Sequence, residues 1–172
     1  MQKELIAEIK IWQIRQTADA EICARMMALT EPWITLRRTF DDSLKIVTDP
    51  AWEVYCATVD GDVVGFIIIE MRGMFKGYIR TICVGPDWRS KGIGSQLMDF
   101  AEQRIFSEAP NVFICVSSFN KGAQSLYARL GFEVVGELHD YIIAGHSEIL
   151  LRKTIAPLTE FKTDKLWTTS NV

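Results

Sequence analysis

The chain has 172 residues, with 19 Lys and Arg against 22 Asp and Glu, a net charge of −3, 48% hydrophobic and 24% charged residues. One ordinary globular domain fits those numbers; they exclude a disordered chain, which pairs low hydrophobicity with high charge, and 11 Gly and 5 Pro are too few for a collagen-like one. The absence of a basic excess argues against nucleic acid as the partner.

Residues 9–15 alternate Ile9, Ile11 and Gln13 against Lys10, Trp12 and Ile14 and predict a half-buried first strand. Thr17 and Asp19 are suited to cap a helix carrying Ile22, Met26 and Leu29 at helical spacing. Pro32 ends or restarts it. A second helix is expected with Leu36, Phe40, Leu44 and Val47 on one face, broken at Asp49-Pro50. Residues 52–59 are β-rich, Asp60-Gly61 is a hairpin turn, and residues 63–71 return as the partner strand. The apolar run 63–69 predicts burial on both faces and is far too short to span a membrane.

Residues 73–77 make a turn and 78–84 a fourth strand. The pattern then changes to a polar loop, 86–94, and an amphipathic helix, 95–107, with Leu97, Met98, Ala101 and Ile105 on one stripe. Residues 112–116 form a fifth strand. Residues 121–130 form a helix with Ala123, Leu126, Tyr127 and Leu130 inward and Gly131 as its C-cap. Residues 132–138 and 147–154 are the last strands. Hairpins together with one helical crossover, 78–116, predict an α/β (α+β) fold. Its mixed, twisted sheet has about seven strands and is flanked by about four helices.

The domain is expected to span 1–154. In the tail, 155–172, Leu158, Phe161, Leu166 and Trp167 either pack on the domain, pack across a homodimer, or fray. The chain is otherwise expected to be a monomer. Cys23, Cys56, Cys83 and Cys115 form no CxxC pair and read as buried, reduced thiols. With no cationic leader before Glu4 and Glu8, they predict a cytoplasmic protein. His139 and His146 lack metal-ligand spacing, so no metal is expected.

The loop Val84-Gly85-Pro86-Asp87-Trp88-Arg89-Ser90-Lys91-Gly92-Ile93-Gly94 carries the first chemical signal. It joins a strand to a helix whose first N–H groups lack internal partners and sit at the positive end of the dipole. Gly92 and Gly94 allow close backbone approach, and Arg89 and Lys91 add charge, an arrangement suited to phosphate. The residues do not form a P-loop or a dinucleotide fingerprint.

Asn120-Lys121-Gly122-Ala123-Gln124-Ser125-Leu126-Tyr127-Ala128-Arg129-Leu130-Gly131-Phe132 is the second signal. Together the two segments resemble the signature motifs of the GNAT superfamily of N-acetyltransferases, and the element order over 9–154 fits that family. The resemblance implies splayed fourth and fifth strands and acetyl-CoA as co-substrate. It implies that Arg89, Ser90, Lys91, Gly92, Ile93, Gly94 and Ser95 hold the pyrophosphate through backbone N–H groups. Ile82, Cys83 and Val84 would pair their main chain with the pantetheine arm. Ala123 and Leu126 would line the channel, and Asn120 would bond the pantetheine or cap its helix.

Tyr127 matches the family's general acid. A phenol near pKa 10 is matched to a thiolate leaving group of about 8.5 to 9.5. The base is open. Where some N-terminal acetyltransferases of the family carry a fifth-strand glutamate this chain has Cys115, and where histone-lysine enzymes carry a fourth-strand glutamate it has Tyr78. Glu70 is the nearest carboxylate by topology; His139, Asp140 or a water relay are alternatives. Trp33, Leu36, Arg37 and Tyr141 would frame the acceptor. Cys115 or Cys83 as a nucleophile is a minor alternative. The activity implied is acetyl transfer to a primary amine of a small molecule, with a protein N-terminus or lysine as the alternative. A coenzyme-A-binding sensor without turnover and a nucleotide-phosphate-binding domain are readings of other classes.

Overall fold

The computed structural model describes residues 8–163. Its elements are β1 (Lys10–Gln13), α1 (Thr17–Ala28), α2 (Phe40–Val47), β2 (Glu53–Val59), β3 (Asp62–Glu70) and β4 (Tyr78–Val84). A 3₁₀ turn, Pro86–Trp88, then leads into α3 (Ile93–Phe106), β5 (Asn111–Ser117), α4 (Lys121–Arg129), β6 (Glu133–His139) and β7 (Ser147–Thr154). The strands form one seven-stranded sheet in the order β1-β2-β3-β4-β5-β7-β6. β4 and β5 are parallel and every other pair is antiparallel. The expected mixed sheet and helical crossover are present. Among the described residues no helix is long and apolar enough to cross a membrane.

Local chemistry explains most boundaries. Asp60 and Gly61 both have positive φ, 53° and 94°, the turn whose twist matches a β-hairpin. Residues 64–69 of β3 are buried, as their unbroken apolar run predicts. On one face α3 and α4 build a core around Ile67, Ile69, Leu97 and Val112; on the other, α1 and α2 cover Phe66, Ile68 and Cys83. Arg104 pins α3 to β2 by a forked pair with Glu53, at 2.6 and 2.8 Å. The four cysteines are free, and Cys23 Sγ lies 3.3 Å from Cys56 Sγ.

Two helical expectations need correction. α1 buries Ala20, Cys23, Ala24 and Met27, whereas Ile22 and Leu29 are 44% and 72% exposed. The small residues let the helix approach the sheet closely, which outweighs burying the larger stripe. Its N-cap position is Gln16, with no side-chain cap, so Thr17 and Asp19 do not serve as caps. α2 begins at Phe40 and not near Leu36, because Thr39 and Asp42 close a capping box there. Residues 32–37 form turns after a cis Glu31–Pro32 bond.

Two features shape the sheet's centre. Gly77, at φ 90°, lies so close to the Asn111 carbonyl that a Cβ would collide with it. β4 therefore starts hard against β5. The two strands then pair only at Tyr78↔Phe113 and Ile79↔Ile114. On the β3 side the register jumps from Ile69↔Ile79 to Ile68↔Thr81, leaving Arg80 as an extra residue. Such a bulge bends its strand, and it falls where β4 leaves β5. The splay expected from the resemblance is thus present.

At the sheet's far edge, β6 exposes Val134 at 70% and Val135 at 55%. Of the tail, Ile155 donates its N–H to the Pro110 carbonyl and Leu158 is exposed. Leu166 and Trp167 lie outside the described residues.

Candidate active site

The parting of β4 and β5 opens two cavities that touch. The larger, about 620 Å³, runs from the end of β4 across the N-terminus of α3 to α4. Gly92 caps α3 in the left-handed conformation, φ 82°, with no side-chain cap. The first N–H groups of α3 therefore stay available to an anion. Arg89, Ser90, Gly92, Gly94 and Ser95 line this end; Ile82, Cys83 and Val84 form one wall, and Asn120, Ala123, Leu126 and Tyr127 the other.

The side chains of two of the expected residues lie elsewhere, while the role expected of them falls to backbone N–H groups. Ile93 is 1% exposed and belongs to the core, and Lys91 holds its ammonium 4.8 Å from the Trp88 ring. Trp88, Gly122 and Arg129 line the cavity and escaped sequence reading. Gly122, Leu126 and Arg129 share a stripe at i, i+4, i+7, so Arg129 was reachable from spacing alone. Residues 30–33 cover the same cavity. Asn120 Oδ1 accepts from the Ala123 N–H at 3.2 Å, so its oxygen is the helix cap.

The smaller cavity, about 140 Å³, lies under the 32–38 turns. Trp33, Leu36, Arg38, Tyr78, Arg80, Cys115, Ser117, Tyr141, Ile142 and Glu148 line it. Pro32, Trp33, Ile82, Asn120 and Tyr127 line both cavities. Tyr127 is 4% exposed, and burial pushes its phenol well above the ordinary value. It is a protonated hydrogen-bond donor throughout the neutral range. Burial also raises the thiols of Cys115 and, to about 12, Cys83. Neither is a thiolate near neutral pH, which removes the chemical basis for a cysteine nucleophile.

The acceptor-side expectations divide. Trp33, Leu36 and Tyr141 line the smaller cavity; Arg37 does not, and its neighbour Arg38 does. Glu70 lines neither cavity: its Oε2 accepts from Arg80 Nη1 at 2.8 Å, and that guanidinium lies 4.1 Å over Trp52. His139 Nδ1 lies 3.0 Å from Ser147 Oγ, and Asp140 Oδ1 accepts from the Gly145 N–H. Both residues serve the β6–β7 turn.

Glu148 is the carboxylate that sequence reading missed. It is the second residue of β7, lies directly opposite Ser117 of β5, is 5% exposed and lines the smaller cavity. Ser117 Oγ donates to its Oε1 at 2.5 Å. Burial raises its pKa and the Ser117 hydroxyl opposes that rise. Among the described residues, no group of His, Cys, Asp and Glu is arranged to hold a metal ion.

Comparison with known proteins agrees with this geometry. The model of the acetyltransferase (GNAT) family matches residues 16–132. An N-alpha-acetyltransferase of Arabidopsis thaliana, MAK3, is 34% identical over 107 residues. The match spans 59% of this chain and 56% of that one, so about half of the relative's length is represented here. A spermidine N(1)-acetyltransferase of Escherichia coli K12 is 25% identical over 129 residues, 73% of this chain and 68% of the relative. An aminoglycoside 6'-N-acetyltransferase solved with coenzyme A shares the fold, with a TM-score of 0.70 at 19% identity over 86% of this chain and 98% of that one.

Proposed function

The chain belongs to the acetyltransferase (GNAT) family, and on that premise we propose that it transfers an acetyl group from acetyl-CoA to a primary amine. One observation carries the reading: the two cavities share five lining residues where β4 and β5 part, and Tyr127 is among them. In this reading the pyrophosphate sits on the N-terminus of α3 and the pantetheine arm runs along residues 82–84. The thioester then lies in the shared stretch, with the amine in the smaller cavity.

The amine attacks directly in a ternary complex. The protein supplies proximity and a donor placed for the leaving sulfur. Tyr127 gives its proton to the thiolate as the C–S bond breaks. Its buried, protonated phenol suits that role.

The cavity's charge bears on the acceptor. Its lining includes Arg38, Arg80 and one carboxylate, Glu148, with Arg80 already paired to Glu70. A polyamine or aminoglycoside would bring several positive charges to that lining. A polypeptide α-amine brings one, beside neutral carbonyl groups. It also costs only about 1.4 kcal/mol to deprotonate at pH 7, against about 4.6 for a lysine. The α-amine of a polypeptide is therefore the preferred acceptor, and a small amine with a single charge comes second. Sequence reading had put these in the opposite order.

Coenzyme A release, followed chromatographically, tests the reading against peptides with free N-termini, internal-lysine peptides with blocked termini, amino acids, polyamines and aminoglycosides. Fastest turnover with free N-termini is expected. Fastest turnover with polyamines would overturn the acceptor, and release with none of these amines would overturn the activity.

A further inference from the structure

We propose that Glu148 is the acceptor-side catalytic residue, holding the substrate ammonium in the smaller cavity and taking its first proton. This rests on the acetyl-transfer reading above and adds the group that receives the amine.

The placement follows from strand register. Cys115 and Ser117 alternate onto the same face of β5. Glu148 is the direct antiparallel partner of Ser117, so its side chain joins that face. Ile114 and Val116 point the other way, into the core that α4 and Tyr127 cover. The cavity reaches through the gap between β4 and β5 to Tyr127. A nitrogen in that gap has Glu148 approaching from one face of the sheet and Tyr127 from the other.

The electrostatics of Glu148 are unusual for a residue 5% exposed. Ser117 satisfies Oε1. Among the described residues no hydrogen bond or ion pair engages Oε2. A buried carboxylate normally has a cation beside it. Arg80 lines the same cavity, but its Nη1 is bonded to Glu70. No ion pair links Glu148 to Arg38 or Arg80 among the described residues, and a substrate ammonium would supply that partner.

The other titratable or charged groups lining the cavity are Arg38, Arg80, Tyr78, Cys115, Tyr127 and Tyr141. Burial holds the Tyr78 hydroxyl and the Cys115 thiol protonated. Glu148 is thus the one ordinary proton acceptor among the described lining residues. Burial makes it more basic than a solvent-exposed carboxylate.

The proton balance closes. The attacking ammonium loses two protons on becoming an amide. The first passes to Glu148 and on to water, leaving the neutral amine to form the C–N bond. Tyr127 protonates the sulfur as the C–S bond breaks, and the second proton from nitrogen restores the phenol.

The test compares the whole chain with its Glu148→Gln and Glu148→Asp variants, using acetyl-CoA and a peptide with a free N-terminus. Glu148→Gln keeps the shape and the Ser117 hydrogen bond. At pH 7 its kcat/KM for the amine should fall about 100-fold, with the acetyl-CoA Kd within twofold and the Tm unchanged or raised. The loss should shrink as pH approaches the amine's own pKa, because solvent then does the carboxylate's work. Glu148→Asp should recover part of the rate. Equal kcat/KM in wild type and Glu148→Gln would overturn the role of Glu148 and leave the acetyl-transfer reading standing. A loss that is the same at every pH would overturn proton transfer by Glu148. No turnover of the peptide by the wild type despite acetyl-CoA binding would overturn the polypeptide acceptor, and this proposal with it.

Discussion

Ile79 opposite Ile114 is the last pair that β4 and β5 make, and the two cavities open beyond it. Up to that pair, Gly77 packed on the Asn111 carbonyl holds the strands together. Past it, the extra residue Arg80 bends β4 away. The gap joins the cavity over the N-terminus of α3 to one whose lining carries a single carboxylate, Glu148.

Tyr127→Phe removes the proton donor without removing the ring that lies 5.9 Å from Phe132. A kcat loss on the order of 100-fold is expected, with the acetyl-CoA Kd within twofold by calorimetry. An unchanged kcat would take Tyr127 out of the reaction.

Gly92→Ala tests the anion end. The position has φ 82° and nothing within 4 Å of a Cβ, so the cost is conformational and not steric. Stability should fall by about 1 kcal/mol, read from denaturant unfolding. Acetyl-CoA should bind more weakly, because the cap sets the direction of the first N–H groups of α3. Unaltered affinity would argue that the pyrophosphate lies elsewhere.

How far the sequence led depends on whether a feature is local. The loop 89–94 and the segment 120–132 were readable because helix termini, caps and turns are decided within a few residues. Asn120 sits where its side chain caps α4, and Gly92 where the backbone takes a positive φ. Glu148 was hidden because only the β5–β7 register sets it opposite Ser117, and no spacing along the chain encodes that. Glu70 was favoured on topology, yet the bulge presents Arg80 to it as a partner. The α1 stripe was misread because Ala20, Cys23 and Ala24 carry a weaker hydrophobic signal than Ile22 and Leu29, and close packing prefers the smaller set.

Glu70→Gln should alter kcat/KM by less than threefold, because the carboxylate is held by Arg80 outside both cavities. Steady-state kinetics beside Glu148→Gln makes the comparison. A loss as large as that of Glu148→Gln would restore Glu70 as the base.

Arg104→Ala leaves Glu53 without its forked partner at a site where Arg104 is 7% exposed. Glu53 stays partly exposed and keeps the Tyr55 hydroxyl, so losing these charged hydrogen bonds should cost about 2 kcal/mol. Urea unfolding should show that loss, with acetyl-CoA affinity unchanged once the chain is folded. A change under 1 kcal/mol would mean that solvent replaces the pair.

The phenols of Tyr55, Tyr78 and Tyr127 are all raised, with burial the largest cause in each. Below pH 10 folded and unfolded chains are both protonated there, so these groups contribute no pH dependence. Above about pH 10 the unfolded chain loses those protons and the folded one keeps them. Stability then falls, by about 1.4 kcal/mol per pH unit for each such group. Unfolding midpoints measured between about pH 9 and 11 should drop steeply. A flat profile would show that the phenols titrate normally in the fold.

The most direct measurement incubates the protein with acetyl-CoA and one peptide in two forms, with its α-amine free or already acetylated. Coenzyme A and the peptide products are quantified together. The account predicts one acetylated peptide per coenzyme A released from the free form, and no release with the blocked form. Release that is equal for both forms, or acetyl recovered on the protein's own side chains, would contradict direct transfer at the junction of the two cavities.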